Sequence, residues 1–298
     1  APPRFSPYVD TSLTPAYDLT ATARRTGVKR FTLAFLTSGG GCVPKWGGTG
    51  DLGANPVAGQ IPALRKAGGD VRVSFGGANG TELAAACSSA ADLAAAYGAA
   101  IDRFHLTAVD FDIEGGALPD TAANARRAQA IAQLQKRHPG LDVSFTLPVM
   151  PEGLTPDGTA LLADARRHGA KISTVNIMAM DYGSSYGGDM ATYATQAATA
   201  THTQIRKALG LTDPAAWRAL SVTPMIGVND VAGEVFRPAD ATALVRFARS
   251  KHLGGLSMWS ATRDRPCPGG PTPSAQPLCS SIDQAPLAFT TAFGTYTG

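Results

Sequence analysis

The sequence predicts a (β/α)8 barrel of the TIM type, on three observations. Short β-branched or aromatic runs alternate with Ala-rich stretches of helical spacing along the 298 residues, the pattern of a parallel sheet covered by helices. Eight such strand runs occur, the number that closes a barrel. The spacing also stays regular to the end, with no segment long enough for an inserted domain. An open doubly wound sheet is the alternative. It would place a Gly-rich phosphate turn after the first strand, where this chain has Thr11-Ser12-Leu13-Thr14-Pro15. Barrels of this kind run to ~250 residues as one unit, so residues 1–298 are expected to form a single catalytic-type domain.

The elements follow in order. The first two strands are Arg4–Asp10 and Arg30–Leu36. Asp70–Phe75 is the third, followed by a helix over Thr81–Phe104, whose Ala-rich run LAAACSSAADLAAAYGAAIDRF favours helix. Ala108–Ile113 is the fourth. The amphipathic Thr121–Arg137 then precedes His138-Pro139-Gly140, a stop signal. Asp142–Pro148 and Thr174–Met180 are strands five and six, and Ala191–Leu209 is the next helix. Leu220–Ile226 and Gly255–Trp259 complete the set, with helix Pro238–Lys251 between them. Residues 227–254 have room for one loop and one helix only, so no α+β domain is inserted between strands seven and eight. The most irregular stretch, Pro266–Pro277, follows the last strand.

Composition excludes several classes. A net charge of +3 with no block of five basic residues gives no electrostatic footprint for nucleic acid. No apolar run approaches the ~18 residues that span a bilayer. The five histidines, His105, His138, His168, His202 and His252, lack metal-ligand spacing. The four cysteines form no Cys-x-x-Cys pair and suit two disulfides in an oxidising compartment. Cys267 and Cys279 would close the Pro/Gly-rich loop between them, leaving Cys42 to pair with Cys87; four free thiols are the alternative. Ala1-Pro2-Pro3 reads as a processed start. Together these features lead to the expectation of a secreted, extracellular monomer.

The chemistry gathers at one strand end. Active groups of such barrels lie at the C-terminal ends of the strands, and the fourth strand ends Val109-Asp110-Phe111-Asp112-Ile113-Glu114. Alternation puts Asp110, Asp112 and Glu114 on one face, the barrel interior, with the apolar residues outward. Acids buried this close cannot all ionise easily, so at least one carboxyl should titrate high, as a general acid near neutral pH requires. A structural ion-pair network and a divalent-cation site are the competing readings.

At this point the chain resembles a known family. Asp110-Phe111-Asp112-Ile113-Glu114 looks like the end of the Asp-x-x-Asp-x-Asp-x-Glu signature of family 18 glycoside hydrolases. Ser74-Phe75-Gly76-Gly77 resembles the family's Ser-x-Gly-Gly, and Met178-Ala179-Met180-Asp181-Tyr182-Gly183 resembles the sixth-strand segment of its bacterial chitinases. Met225-Ile226-Gly227 and Trp259 resemble its seventh and eighth strands. Two departures stand out. Thr107 occupies the first Asp of the signature, and Asp181 precedes Tyr182 where many members have Tyr before Asp.

The resemblance implies substrate-assisted hydrolysis of chitin or N-acetylglucosamine oligosaccharides, with no cofactor or metal. Glu114 would protonate the glycosidic oxygen while the substrate's acetamide oxygen attacks the anomeric carbon. Asp112 would hold the acetamide N–H, and Asp110 would share a proton with Asp112. Asp181 or Tyr182 would bond the acetamide from the other side. Trp259 would floor the sugar, with Met178, Met180, Ser74, Gly76 and Gly77 around it. Asn229 or Asp230, after the seventh strand, would reach sugar hydroxyls or serve a turn. Trp46, in the Gly-rich loop 38–50, is a candidate exposed platform for sugar stacking, with a structural role as the alternative. The missing insertion implies an open cleft and endo cleavage. The competing functions are an endo-β-N-acetylglucosaminidase acting on N-glycans, a non-catalytic sugar-binding relative, and an unrelated metal-dependent barrel enzyme.

Overall fold

The computed structural model describes residues 3–298. Eight parallel strands run β1 (Tyr8–Asp10), β2 (Arg30–Ser38), β3 (Asp70–Gly76), β4 (Ala108–Asp112), β5 (Asp142–Met150), β6 (Thr174–Ala179), β7 (Leu220–Pro224) and β8 (Gly255–Leu256). Each pairs with its sequence neighbour. The parallel bridge Phe5–Leu256 joins the last strand to the first and closes the ring, with Ser6 and Tyr8 donating to the carbonyls of Leu256 and Met258. The expected barrel is therefore the observed one.

Strands alternate with helices α1 (Leu19–Thr26), α2 (Ile61–Lys66), α3 (Ala90–Phe104), α4 (Thr121–Arg137), α5 (Pro156–Arg167), α6 (Met190–Leu209), α7 (Pro238–Lys251) and α8 (Ala288–Phe293). Their starts are set by side chains that take up otherwise orphaned amides. Asp18, Ser89, Asp120, Thr155 and Asp189 each accept a backbone N–H of the first turn. Between β7 and β8 lie a two-residue hairpin, Gly227–Val228 with Val235–Phe236, and α7. No inserted domain is found there among the described residues.

The core lies mainly between the ring and the helices. On β4 and just after it, Val109, Phe111 and Ile113 point outward and are fully buried. Phe111 stacks on Phe75 at 5.4 Å and meets Phe145 and Tyr97 at 5.6 and 4.9 Å. This aromatic layer fixes which face of β4 turns to the axis.

One expected helix is interrupted. Thr81–Phe104 divides into a single turn, Leu83–Ala86, and α3, with Cys87 extended between them. The cause is covalent: Cys87 is bonded to Cys42, and Ser89 then caps a new helix. Cys267 pairs with Cys279, as expected. The loop-closure view of disulfides grades the two. The bridges enclose separations of 45 and 12 residues, worth about 4 and about 3 kcal/mol. In urea unfolding, Cys42→Ala/Cys87→Ala is therefore expected to lose more stability than Cys267→Ala/Cys279→Ala; the reverse order would contradict the entropic account.

Candidate active site

The axis of the barrel is polar, and its centre is Asp110. This side chain is 1% exposed. Its Oδ2 accepts from Tyr8 Oη at 2.8 Å and Ser74 Oγ at 2.6 Å, and its Oδ1 from Ser144 Oγ at 2.6 Å and Thr146 Oγ1 at 2.8 Å. A carboxyl group offers about four acceptor positions, and here hydroxyls take all of them. Burial pushes Tyr8 well above its ordinary range, with Asp110 and Asp112 adding to the effect, so the phenol keeps its proton. The chain of bonds continues through Thr146 to Asn176 and Thr223.

This arrangement corrects one expectation. Ser74 is fully buried and serves Asp110 rather than a sugar. Asp112 faces Glu114, and its titration is pushed well above the usual carboxyl range. Burial is the largest cause, followed by the charge of Glu114 and a hydrogen bond to it, then Asp110. The buried Oδ1 of Asp112 has no protein partner. Such an atom carries an unmet desolvation cost that a ligand N–H could relieve.

Both carboxyls open into a cleft of about 430 Å3 at the C-terminal end of the ring. Its floor is Trp259, stacked on Phe35 at 5.6 Å and 13° and tilted against Tyr8 at 5.8 Å. Met178, Met180 and Asp181 form one wall, and Gly76 with residues 78–80 the other. Gly76 has φ 108°, and a Cβ there would lie 2.1 Å from the Asp112 carbonyl, so β3 and β4 approach closely only because this residue is glycine. Gly77 is equally constrained by the Phe35 ring, 2.8 Å from its would-be Cβ.

Asp181 and Tyr182 separate clearly. Asp181 lines the cleft and adopts φ 52°, a left-handed conformation held by Asn229 Oδ1 on its N–H and by its own acceptance from Val231 N–H. That turn ends the strand alternation and swings Tyr182 outward. Tyr182 is buried against Tyr186 and Tyr193, away from the cleft. Glu234, 1% exposed, anchors the turn through the amides of Tyr182 and Gly183. Asp181 is raised to about 6, chiefly by burial, with Asp230 and Glu234 adding to it against the bond from Val231.

Other expectations are corrected by burial. Trp46 is 4% exposed; its ring packs on Phe104 and its Nε1 donates to Leu52, so it offers no platform. Asn229 is fully buried and spends its amide on Met225 and Gly227 carbonyls, leaving nothing for sugar hydroxyls. Thr107 lies exposed at the opposite, N-terminal mouth, remote from Glu114. A second cavity of about 380 Å3 at that mouth contains neither Asp112 nor Glu114. Of the pair Asn229 and Asp230, it is Asp230 that lines the cleft, and Tyr8, Phe35 and Thr146 were not singled out from the sequence. The alternation of polar with apolar residues in Asp142-Val143-Ser144-Phe145-Thr146 is the signal that marks a polar barrel axis. Among the described residues no cluster of His, Cys, Asp and Glu suits a metal ion.

A closed (β/α)8 ring whose fourth strand delivers a row of acids into an aromatic-floored cleft is the form of a barrel glycosidase, and the comparisons narrow the class. No protein-family model matches the chain. Its structure is similar to the catalytic domain of a hyperthermophilic chitinase from Pyrococcus furiosus, at 34% identity over 98% of this chain and 94% of that one, with a TM-score of 0.89. A catalytic-site mutant of that chitinase's active domain 2, solved with chito-oligosaccharides, is matched equally well, with a TM-score of 0.89. The chain is 38% identical over 312 residues to a protein described as a probable bifunctional chitinase/lysozyme of Escherichia coli (strain K12), and 37% identical over 281 residues to Endochitinase 11 of Metarhizium anisopliae. It spans 34% and 52% of the length of these two proteins. A family GH18 chitinase from Pseudoalteromonas aurantia shares the fold, with a TM-score of 0.61 at 17% identity. The chain belongs to the family 18 chitinases, a group of glycoside hydrolases.

The raised titration of Asp112 has a signed consequence for stability. A carboxyl whose folded pKa exceeds its unfolded value stabilises the fold below the unfolded pKa, and this contribution is lost as pH rises through the folded one. Asp112→Asn removes that liability. The melting temperature of the variant, relative to the wild type, should increase as pH rises from 4 to 8; a difference constant with pH would show that Asp112 is not strained by its burial.

Proposed function

We propose that the chain hydrolyses β-1,4-linked N-acetylglucosamine polymers with retention, using the substrate's own acetamide as nucleophile and Glu114 as general acid and base. The observation that carries this reading is the orphaned, buried Oδ1 of Asp112 beside Glu114 in the aromatic-floored cleft. An acetamide N–H is the donor this oxygen lacks. Asp112 holds the acetamide so that its carbonyl oxygen attacks the anomeric carbon. Glu114 gives its proton to the glycosidic oxygen as that bond breaks, leaving an oxazolinium ion. Glu114, now a base, takes a proton from the water that opens the ring. Asp181 approaches the acetamide from the opposite wall, and Trp259 supports the sugar face.

Endo cleavage is supported by the segment between β7 and β8, which adds only a hairpin and one helix and, among the described residues, no further domain over the cleft. Secretion is supported by the two disulfides, and no helix among the described residues is long and apolar enough to cross a membrane. The reading treats the chain as a monomer whose partner is the polysaccharide.

The test is hydrolysis of N-acetylglucosamine oligomers with product anomers followed by NMR. The wild type should release β-anomers, and Glu114→Gln should lose about 100- to 10,000-fold in kcat, the span of a general acid's contribution. A wild type that binds the oligomers without cleaving them would instead define a non-catalytic relative. Release of dimers alone from the first minute would contradict endo action.

A further inference from the structure

Behind the cleft, the loops that leave β3 and β4 share one buried ion pair. Glu82 follows the loop 78–80 that lines the cleft, and Arg127 lies on α4; their side chains are 4% and 1% exposed and meet at 3.0 Å. Glu82 also accepts from Ala84 N–H at 2.7 Å and from Tyr97 Oη at 2.5 Å. Arg127 passes the connection on. Its Nη1 donates to Asn124 Oδ1 at 2.8 Å, and Asn124 Nδ2 donates to the carbonyl of Leu118 at 2.9 Å. Leu118 closes the turn Gly115–Ala117 by donating to Gly115 at 3.2 Å, and that turn is the peptide immediately after Glu114. On the other side, Glu82 Cγ lies 3.5 Å from the Cβ position of Gly76, and Gly77 N–H donates to the Asp112 carbonyl at 3.0 Å. The network thus holds the turn after Glu114 and packs beside Gly76, whose neighbour Gly77 is bonded to Asp112.

Stability does not explain it. A buried ion pair gains little over well-packed apolar residues of the same volume, because desolvation offsets the attraction. Arg127 Nε is moreover buried with no partner. What the network supplies is fixed geometry: Glu114 itself is only half-buried, its side chain meets Asp112, and the turn that follows it is tied to the network through Asn124 and Leu118.

We propose that the buried relay Glu82–Arg127–Asn124 positions Glu114, by holding the turn Gly115–Leu118 so that the acid faces Asp112 and the scissile bond. None of the relay residues lines the cleft, so they are positioning and not catalytic residues. The inference rests on the reading of Glu114 as the general acid. A displacement of ~1 Å at such a group costs about 100-fold in rate, so the relay is sensed in kcat while the sugar contacts, and hence KM, stay in place.

The test compares Asn124→Ala and Glu82→Gln with Gln204→Ala. The last removes two hydrogen bonds to Leu154 outside the cleft and calibrates plain destabilisation. On N-acetylglucosamine tetramers, both relay variants should lose about tenfold or more in kcat with KM within about threefold, and Gln204→Ala should lose neither. In a 13C titration of the side-chain carboxyls, Asp112 should move downward in the relay variants, since Glu114's charge and hydrogen bond are among the causes that raise it. Gln204→Ala should leave Asp112 where it is. Wild-type kcat together with an unmoved Asp112 in either relay variant that folds overturns the proposal. If the wild type cleaves no oligomer, the chitinase reading fails by itself, and the Asp112 titration still decides whether the relay positions Glu114.

Discussion

A carboxyl group on the axis of a barrel must be solvated by the barrel, and the rest of this site follows from how Asp110 is satisfied. Its four donors come from β1, β3 and β5. Ser74, Asp110 and Ser144 lie opposite one another across three adjacent strands. Side chains alternate with a period of two, so a slip of one residue in β4 would turn Asp110 into the aromatic layer of Phe75, Phe145 and Tyr97 and leave it without a donor. The register that spares it also brings Asp112 to the rim of the ring and Glu114 just beyond. The polar centre and the apolar jacket therefore specify the same alignment.

With the acceptors of Asp110 filled, Asp112 is left between a closed interior and an open cleft. Tyr8 keeps its proton and holds Asp110 from below, and Glu114 stands on the solvent side. Burial and that neighbour raise Asp112, so strain among the acids falls on the middle one. Periodicity identifies acids that share a face; it does not identify which of them the surroundings solvate.

The fold was legible because it depends on periodic patterns, and the eight strands and most helices sit where alternation and Ala-rich spacing put them. What failed depended on contacts distant in sequence. Thr81–Phe104 has helical composition throughout, but Cys87 must reach Cys42 and leaves the helix to do so. The glycines around Trp46 suggested exposure, yet Phe104 covers the ring. The order Asp181-Tyr182 could not be resolved by alternation, because the left-handed turn at Asp181 suspends it. The hydroxyls around Asp110 were visible as polar residues at every second position of β5, a pattern that becomes meaningful only once the barrel closes around them.

The second wall shows how a short connection can do the work of a longer one. The hairpin after β7 carries Asn229 and Glu234 back to the turn at Asp181, where Asn229 takes one backbone amide and Glu234 takes two. Arg263, 1% exposed, braces the hairpin by donating to the carbonyls of Ile226 and Val228. It also reaches Gln276 in the coil that Cys267 and Cys279 close. Burial lowers this arginine to about 10, against the pull of Asp230 and Asp181. Even so it stays protonated at neutral pH and faces the acidic wall with a fixed charge. The cleft is thus backed by the buried ion pair of Glu82 with Arg127 behind β3 and β4, and by Glu234 and Arg263, which fasten backbone separately, behind β6 and β7. These groups fasten backbone rather than substrate, so the unpartnered Oδ1 of Asp112 can stay open to a ligand.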